Sequence, residues 1–191
     1  MNPVSADAWR PSGLDTTYAR LRAVEESTKA RRLETLLERH ESRLRRVAYG
    51  MLADPSRVDD VLQEALLRAY RRLPVRFESA GHEAAWLYRI VHRCCLNELR
   101  SRRRRRETPG VPVEAHVSAG DDAVLASVAV AAALAQLHDD ARAVVLLVDL
   151  IGLDYETAAA ALGIPRGTVA SRLSAARAAL RAAFAAERAA Q

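Results

Sequence analysis

The most restrictive feature of the chain lies near its C-terminal end. There Gly163-Ile164-Pro165 separates two short runs with helical apolar spacing. Glycine adopts the left-handed conformation that turns a chain sharply at a helix end. Pro165 suits a helix start, where its missing N–H costs nothing. Ile164 fills the angle between the two helices, and Ala159 is small where they must approach closely. Val169 and Leu173 then face the core, which leaves Arg166, Thr168, Ser171 and Arg172 outward on the second helix. A helix–turn–helix presents such positions to the major groove of DNA. An ordinary helical hairpin also fits the turn, but it gives no reason for the outward basic residues. Acidic residues slightly outnumber basic ones from Asp121 onward, yet Arg166, Arg172, Arg177 and Arg181 all lie on this second helix or its continuation.

The rest of the chain reads as helix too. Aromatic residues make up only 5% and alanine and arginine are abundant, while β-branched residues rarely cluster. Such a composition favours an all-α fold. Leu33, Leu36, Leu37, Leu44, Val47, Met51 and Leu52 form one stripe, which predicts a helix over 33–52. A preceding helix is expected from Thr16 towards Arg32. Asp54-Pro55-Ser56 ends the first helix and caps a second, whose inward residues are Val58, Val61, Leu62, Ala65 and Leu66. Pro74 stops it. A third helix is expected from Glu83 into the arginine run, burying Leu87, Ile90, Val91 and Cys94. Residues 107–121 contain Pro109, Gly110, Pro112 and Gly120 and read as a flexible linker. Alanine-rich helices resume near Asp122, reaching Leu137, and another covers Ala141 to Leu150. The expected organisation is an extension over 1–32, a helical domain over 33–106, the linker over 107–121 and a second helical domain over 122–191.

Charge narrows the partners. Lys plus Arg is 29 against 24 for Asp plus Glu, a net charge of +5. The excess is modest, but Arg100 and the unbroken arginines at 102–106 concentrate it, which attracts a polyanion. Cys94 and Cys95 are adjacent, so no disulfide framework is implied. No apolar run reaches membrane-spanning length, and the first ten residues lack a signal-peptide core. A cytoplasmic protein without a membrane partner is expected.

Three stretches together resemble the extracytoplasmic-function (ECF) sigma factors, the small members of the sigma-70 family of RNA polymerase sigma factors. They are Asp59-Asp-Val-Leu-Gln-Glu-Ala-Leu-Leu-Arg-Ala-Tyr-Arg-Arg72, Trp86-Leu-Tyr-Arg-Ile-Val-His-Arg93 leading into the arginine run, and Gly152-Leu-Asp-Tyr-Glu-Thr-Ala158 through Gly167-Thr-Val-Ala-Ser-Arg-Leu173. The resemblance covers about residues 33–180. It implies two helical domains, sigma domain 2 and a sigma domain 4 with the helix–turn–helix. It also implies a non-enzymatic promoter-specificity subunit that binds core RNA polymerase, through the β′ clamp and β subunits, and promoter DNA. An anti-sigma partner is left open.

On the first stretch the resemblance implies polymerase contact by Asp60, Gln63, Glu64 and Leu67. These share one helix face at i, i+3, i+4 and i+7, although a solvated face has the same pattern. On the second it implies a promoter-melting element of Phe77, Ser79, His82, Trp86, Arg89, Arg93, Asn97 and Arg100. Arginines hold phosphates, aromatic rings support unstacked bases, and a polar loop over 77–82 receives a flipped base. Trp86 fits a core role equally well, and for Phe77 core packing is the stronger reading. On the third it implies upstream-element reading by Arg166, Thr168, Ser171, Arg172 and Arg177. The chain departs from the family at Arg93, where asparagine is common, at Asn97, where aspartate is, and at His138, where proline is usual. Ala170 and Ala175 replace frequent basic residues, which weakens the expected duplex contact of this domain.

Catalytic readings find little support. His82-Glu83-Ala84-Ala85-Trp86 begins like a zinc-protease motif, but tryptophan stands where its second histidine belongs. His92, Cys94 and Cys95 do not converge, since neighbouring side chains on a helix diverge by about 100°. Neither a metal nor a cofactor is expected. A free-standing helix–turn–helix regulator would explain the DNA-binding features but not the face at Asp60 to Leu67. A membrane-surface adaptor built on the arginine run explains less.

Overall fold

The structure is a computed structural model that describes residues 13–106, 130 and 132–189. The expected linker at 107–121 lies outside the described residues. Three helices open the fold: α1 (Gly13–Leu52), α2 (Pro55–Arg72) and α3 (Ala80–Arg106). A helical stretch over 132–136 leads to α4 (Asp139–Val145), which widens into a π-helical turn at Leu146–Leu150. Then come α5 (Tyr155–Leu162) and α6 (Arg166–Ala189). Among the described residues there is no strand.

The helix expected from Thr16 and the one expected from Leu33 are a single rod of 40 residues. Between Leu14 and Tyr49 no glycine or proline interrupts the backbone ladder. Lys29 and Arg32 then pin the rod to the end of α2. The Lys29 ammonium lies over the Tyr70 ring and donates to the Arg71 carbonyl, and Arg32 donates to the Pro74 carbonyl at 2.8 Å. α1 ends at Ala53, whose φ of 52° places an alanine in the left-handed region. Asp54 caps α2 as expected. Its carboxylate accepts from the Ser56 N–H at 3.2 Å and the Ser56 hydroxyl at 2.7 Å, with Pro55 in the first helical position.

Val58, Val61, Leu62, Ala65 and Ala69 form the buried face of α2. The first four of these pack with Leu36, Leu44, Val47 and Met51 of α1 and with Leu87, Val91, Cys94 and Cys95 of α3. Tyr88, fully buried, joins them although the sequence reading left it out. Polar ties cross the same bundle. Arg45 meets Asp59 at 2.6 Å, and the buried Glu83 receives Arg39 and His40, each at 3.2 Å.

The C-terminal helices share this core rather than making a separate one. A single apolar cluster runs from Leu36 through Leu146 and Leu147 to Leu173 and Ala176. The π turn makes that possible. Its Ile151 N–H reaches back five residues to the Leu146 carbonyl, and the widened coil keeps Leu146 and Leu147 both buried. Leu146 enters a notch on α1 at Gly50, where a Cβ would overlap its side chain. α5 lies along α3 in the most extensive helix–helix contact among the described residues.

Candidate polymerase and promoter interface

On α2 the face opposite the core is open. Asp60, Gln63, Glu64 and Leu67 are all exposed, Leu67 at 54% of its surface. Asp60 approaches Arg57 at 3.9 Å, and Glu64 receives Arg68 at 2.7 Å. These are exposed pairs one helical turn apart, worth little to stability and easily exchanged for an external cation. Spending an exposed leucine among carboxylates stabilises nothing in the free chain.

α3 begins three residues earlier than expected because Ser79 caps it, accepting the His82 N–H at 3.2 Å. The cap fixes the 77–82 loop against the helix. The Phe77 and Trp86 rings pack with centroids 5.3 Å apart and planes tilted by 58°, and His82 pairs with Glu78 at 3.2 Å. Phe77, Glu78, His82, Trp86, Arg89 and the backbone near Ala160 line an open groove of about 310 Å³. Phe77 and Trp86 are half-buried, so each serves the core with one edge and the groove with another. From Trp86 the stripe continues along α3 through Arg89, Arg93, Asn97 and Arg100. Arg93, Asn97 and Arg100 are exposed.

Arg89 is engaged elsewhere. Its Nε donates to the Ala160 carbonyl at 3.1 Å and its Nη2 to the same oxygen, capping the last turn of α5. Members of the arginine run are tied as well. Arg102 donates to the Leu52 carbonyl at 3.2 Å and closes the end of α1, Arg103 meets the buried Asp139 at 2.9 Å, and Arg105 meets Glu98 at 3.0 Å. Part of the run expected to attract a polyanion therefore holds the fold together.

The helix–turn–helix forms as the sequence demands. Asp154 caps α5, accepting the Thr157 N–H at 2.7 Å, and that bond holds its carboxyl below the ordinary aspartate range. Gly163 turns the chain at φ 70°. Pro165 lies just before α6, and its carbonyl accepts the first turn from Thr168 and Val169. Val169 and Leu173 are buried, and Arg166, Ser171 and Arg177 are exposed, with Thr168 and Arg172 half-buried. Two of the arginines expected to read the duplex have partners within the chain: Arg172 meets Asp140 at 3.2 Å, and Arg177 meets Asp149 through Nε at 3.0 Å. His138, at the usual proline position, caps α4 by accepting the Asp140 N–H at 3.4 Å.

The sequence reading missed Arg142. Its guanidinium, 7% exposed, donates to four carbonyls: Leu134 at 2.7 Å, Met51 at 2.7 Å, Ala135 at 2.9 Å and Leu137 at 3.1 Å. An arginine between Ala141 and the apolar run Ala143-Val144-Val145 was the available signal, because a cation on a buried face needs built-in acceptors.

A sigma-70 region 2 family model matches residues 36–105, and a sigma-70 region 4 model matches residues 127–180. The chain belongs to the ECF sigma factors. The ECF sigma factor SigM of Mycobacterium tuberculosis is 36% identical over 150 residues, which is 77% of this chain and 74% of SigM. SigC of the same species is 38% identical over 138 residues, covering 70% and 72%. Among solved structures, CnrH in complex with the cytosolic domain of CnrY superposes with a TM-score of 0.65 at 28% identity, over 86% of this sigma factor and 94% of CnrH. RpoE bound to the anti-sigma factor NepR, from Bartonella quintana, gives 0.63 at 26% identity, over 81% and 95%. As a sigma factor the chain is a non-enzymatic transcription initiation factor, which sets aside a free-standing regulator. No helix among its described residues is long and apolar enough to cross a membrane, and no group of three metal-ligating side chains occurs among them.

Proposed function

We propose that this sigma factor divides promoter recognition between its two helical units while α2 docks the core polymerase. In this reading residues 33–106 form the core-binding and strand-opening unit, 107–121 connect, and 122–191 read the upstream duplex element. The single observation that carries it is the α3 stripe: exposed Arg93, Asn97 and Arg100 continue into a groove walled by Phe77 and Trp86. Stacking surface beside phosphate-holding arginines is what an opened strand requires. Asp60, Gln63, Glu64 and Leu67 serve the polymerase, and Arg166, Thr168, Ser171, Arg172 and Arg177 serve the duplex. Such work takes place in the cytoplasm. The fold shared with CnrH and RpoE supports a protein antagonist as a further partner.

Charge reversal by Asp60→Arg with Glu64→Arg tests the docking face. Co-purification with core polymerase is lost while helicity is kept, and unchanged co-purification overturns the assignment. Arg172→Ala weakens recruitment to a duplex promoter by about tenfold, the worth of one good base contact, and spares a template melted in advance. Substituting Ser79 and His82 together does the reverse: complexes assemble, but permanganate reveals no bubble. Identical failure of both variants on both templates refutes the division of labour.

A further inference from the structure

The loop between α2 and α3 is held at both ends by one other helix. Residues 73–79 make the connection. Among the described residues no backbone hydrogen bond joins 74–78 to the rest of the main chain, and Val75 is 88% exposed. Side chains of α1 supply what the backbone lacks. At the loop's entry Arg32 donates to the Pro74 carbonyl at 2.8 Å. Beside it Lys29 donates to the Arg71 carbonyl at 3.5 Å, with its ammonium over the Tyr70 ring. At the exit Arg39 grips both Glu83 oxygens, at 3.2 and 3.4 Å, and His40 meets the same carboxylate at 3.2 Å. Glu83 is buried in the first turn of α3, and its N–H donates to the Ser79 carbonyl at 3.0 Å. Arg32 and Arg39 stand seven residues apart on one face of α1, which sets the two grips about 10 Å apart along the rod. Lys29 and Arg32 precede the 36–105 stretch that the region 2 model matches.

We propose that Arg32 and Glu83 are positioning residues for promoter opening, through which α1 splints the 77–82 loop in the shape that receives a flipped base. The inference rests on that loop being the base-capturing element. A loop that wanders among shapes binds its base with an affinity reduced by the fraction of time spent in the right one. Arg32 sets the entry, because the Pro74 carbonyl is the last backbone group before the exposed turn at Val75. Its hydrogen bond is charge-assisted and so stronger than a neutral one. Glu83 sets the exit, and Ser79 and His82 hang between the two grips. Neither Arg32 nor Glu83 touches DNA; both act through the loop.

Polymerase holoenzymes carrying the full chain test the proposal. Arg32→Met keeps the aliphatic stem and removes the donors, and Arg32→Lys keeps one charged donor. Glu83→Gln keeps the shape at the other end and removes the charge that holds Arg39 and His40. Arg32 is only half-buried, so its variants decide alone if circular dichroism shows that Glu83→Gln does not fold. On an intact duplex promoter, half-maximal opening read by permanganate needs about fivefold more holoenzyme with Arg32→Met or Glu83→Gln, and Arg32→Lys recovers much of the loss. The deciding readout is a promoter series with one abasic site at each position of the opened non-template strand. Wild type loses opening where the captured base is missing, and at that position both variants fall level with it. General damage to the fold would leave them behind wild type at every position. A deficit that persists through the whole series, or no deficit on the intact promoter, overturns the proposal. The Ser79 and His82 variant judges the underlying reading. If that variant lags equally at every abasic position, the loop does not capture a base and the proposal falls with that reading. If it levels with wild type at one position where Arg32→Met still lags, the loop captures a base and α1 is not what shapes it.

Discussion

Replacing Arg142 by methionine removes the one guanidinium that gathers four carbonyls, from Leu134, Ala135, Leu137 and Met51. Methionine nearly fills the volume, so the loss is electrostatic and not a cavity. The bonds to Leu134, Leu137 and Met51 are buried, while the one to Ala135 is only part-buried and its carbonyl can turn to water. The Leu134 carbonyl keeps the Leu137 N–H as a donor at 3.1 Å, so two acceptors are left buried and unpaired; each costs about 1–3 kcal/mol, and the lower bound for two gives about 2 kcal/mol. Relief of the buried cation's desolvation works the other way. It is partial, because Asp139 at 4.0 Å already supports the charge. For a chain of this size each kcal/mol moves the midpoint of thermal unfolding by about 2–4 °C, so the expected fall is about 4–8 °C. Arg142→Lys keeps the charge but reaches fewer carbonyls and falls between the two. Circular dichroism at 222 nm, followed through heat and through urea, measures both. A loss below about 1 kcal/mol for the methionine variant would refute the argument, since it would mean the orphaned carbonyls rehydrate freely.

Ala53→Gly should stabilise the chain by about 1 kcal/mol in urea titration, because a non-glycine residue at φ 52° bears the left-handed penalty that glycine lacks; an unchanged or lower midpoint counts against it. Asp154→Ala should cost about 1 kcal/mol through loss of the α5 cap, with Asp154→Ser recovering most of it. His92 responds to pH. Burial holds its imidazole below the ordinary histidine value; Asp140 and Asp139 of α4 oppose that, and Arg93 and Arg100 of α3 reinforce it. Its Nε2 has no partner among the described residues. The unfolded chain therefore takes up this proton at a higher pH than the folded one, and stability falls as pH drops from near 6.5 towards the lowered value. His92→Gln should flatten that limb of the stability–pH curve, and an identical acid limb in both proteins would disprove the assignment.

Much of the architecture was legible before any fold was known, because the signals are local. The caps at Asp54 and Asp154 involve neighbours two or three residues away, and the turn at Gly163 needs only its own backbone freedom. The buried stripe of α2 follows from helical period alone, as does the open face of Asp60, Gln63, Glu64 and Leu67. Even the helix–turn–helix, with Val169 and Leu173 inside and Arg166 outside, is a matter of a few consecutive turns. What a charged side chain does is a different kind of question. Arg89 reads as a phosphate ligand in its own helix, yet its acceptor is a carbonyl 71 residues away. Arg142 looks like one more surface cation, yet its guanidinium closes on a carbonyl 91 residues earlier. His92 lies beside a recognised core position and is buried where Asp139 and Asp140 of α4 come near it, while Tyr88 is buried against α1, edge-on to His40. Periodicity tells which face of a helix seeks cover, but it carries no information about which distant element supplies it. That choice is made by shape, by Leu146 finding the gap in α1 at Gly50, and the polar partners then follow from where the packed backbones happen to place their oxygens.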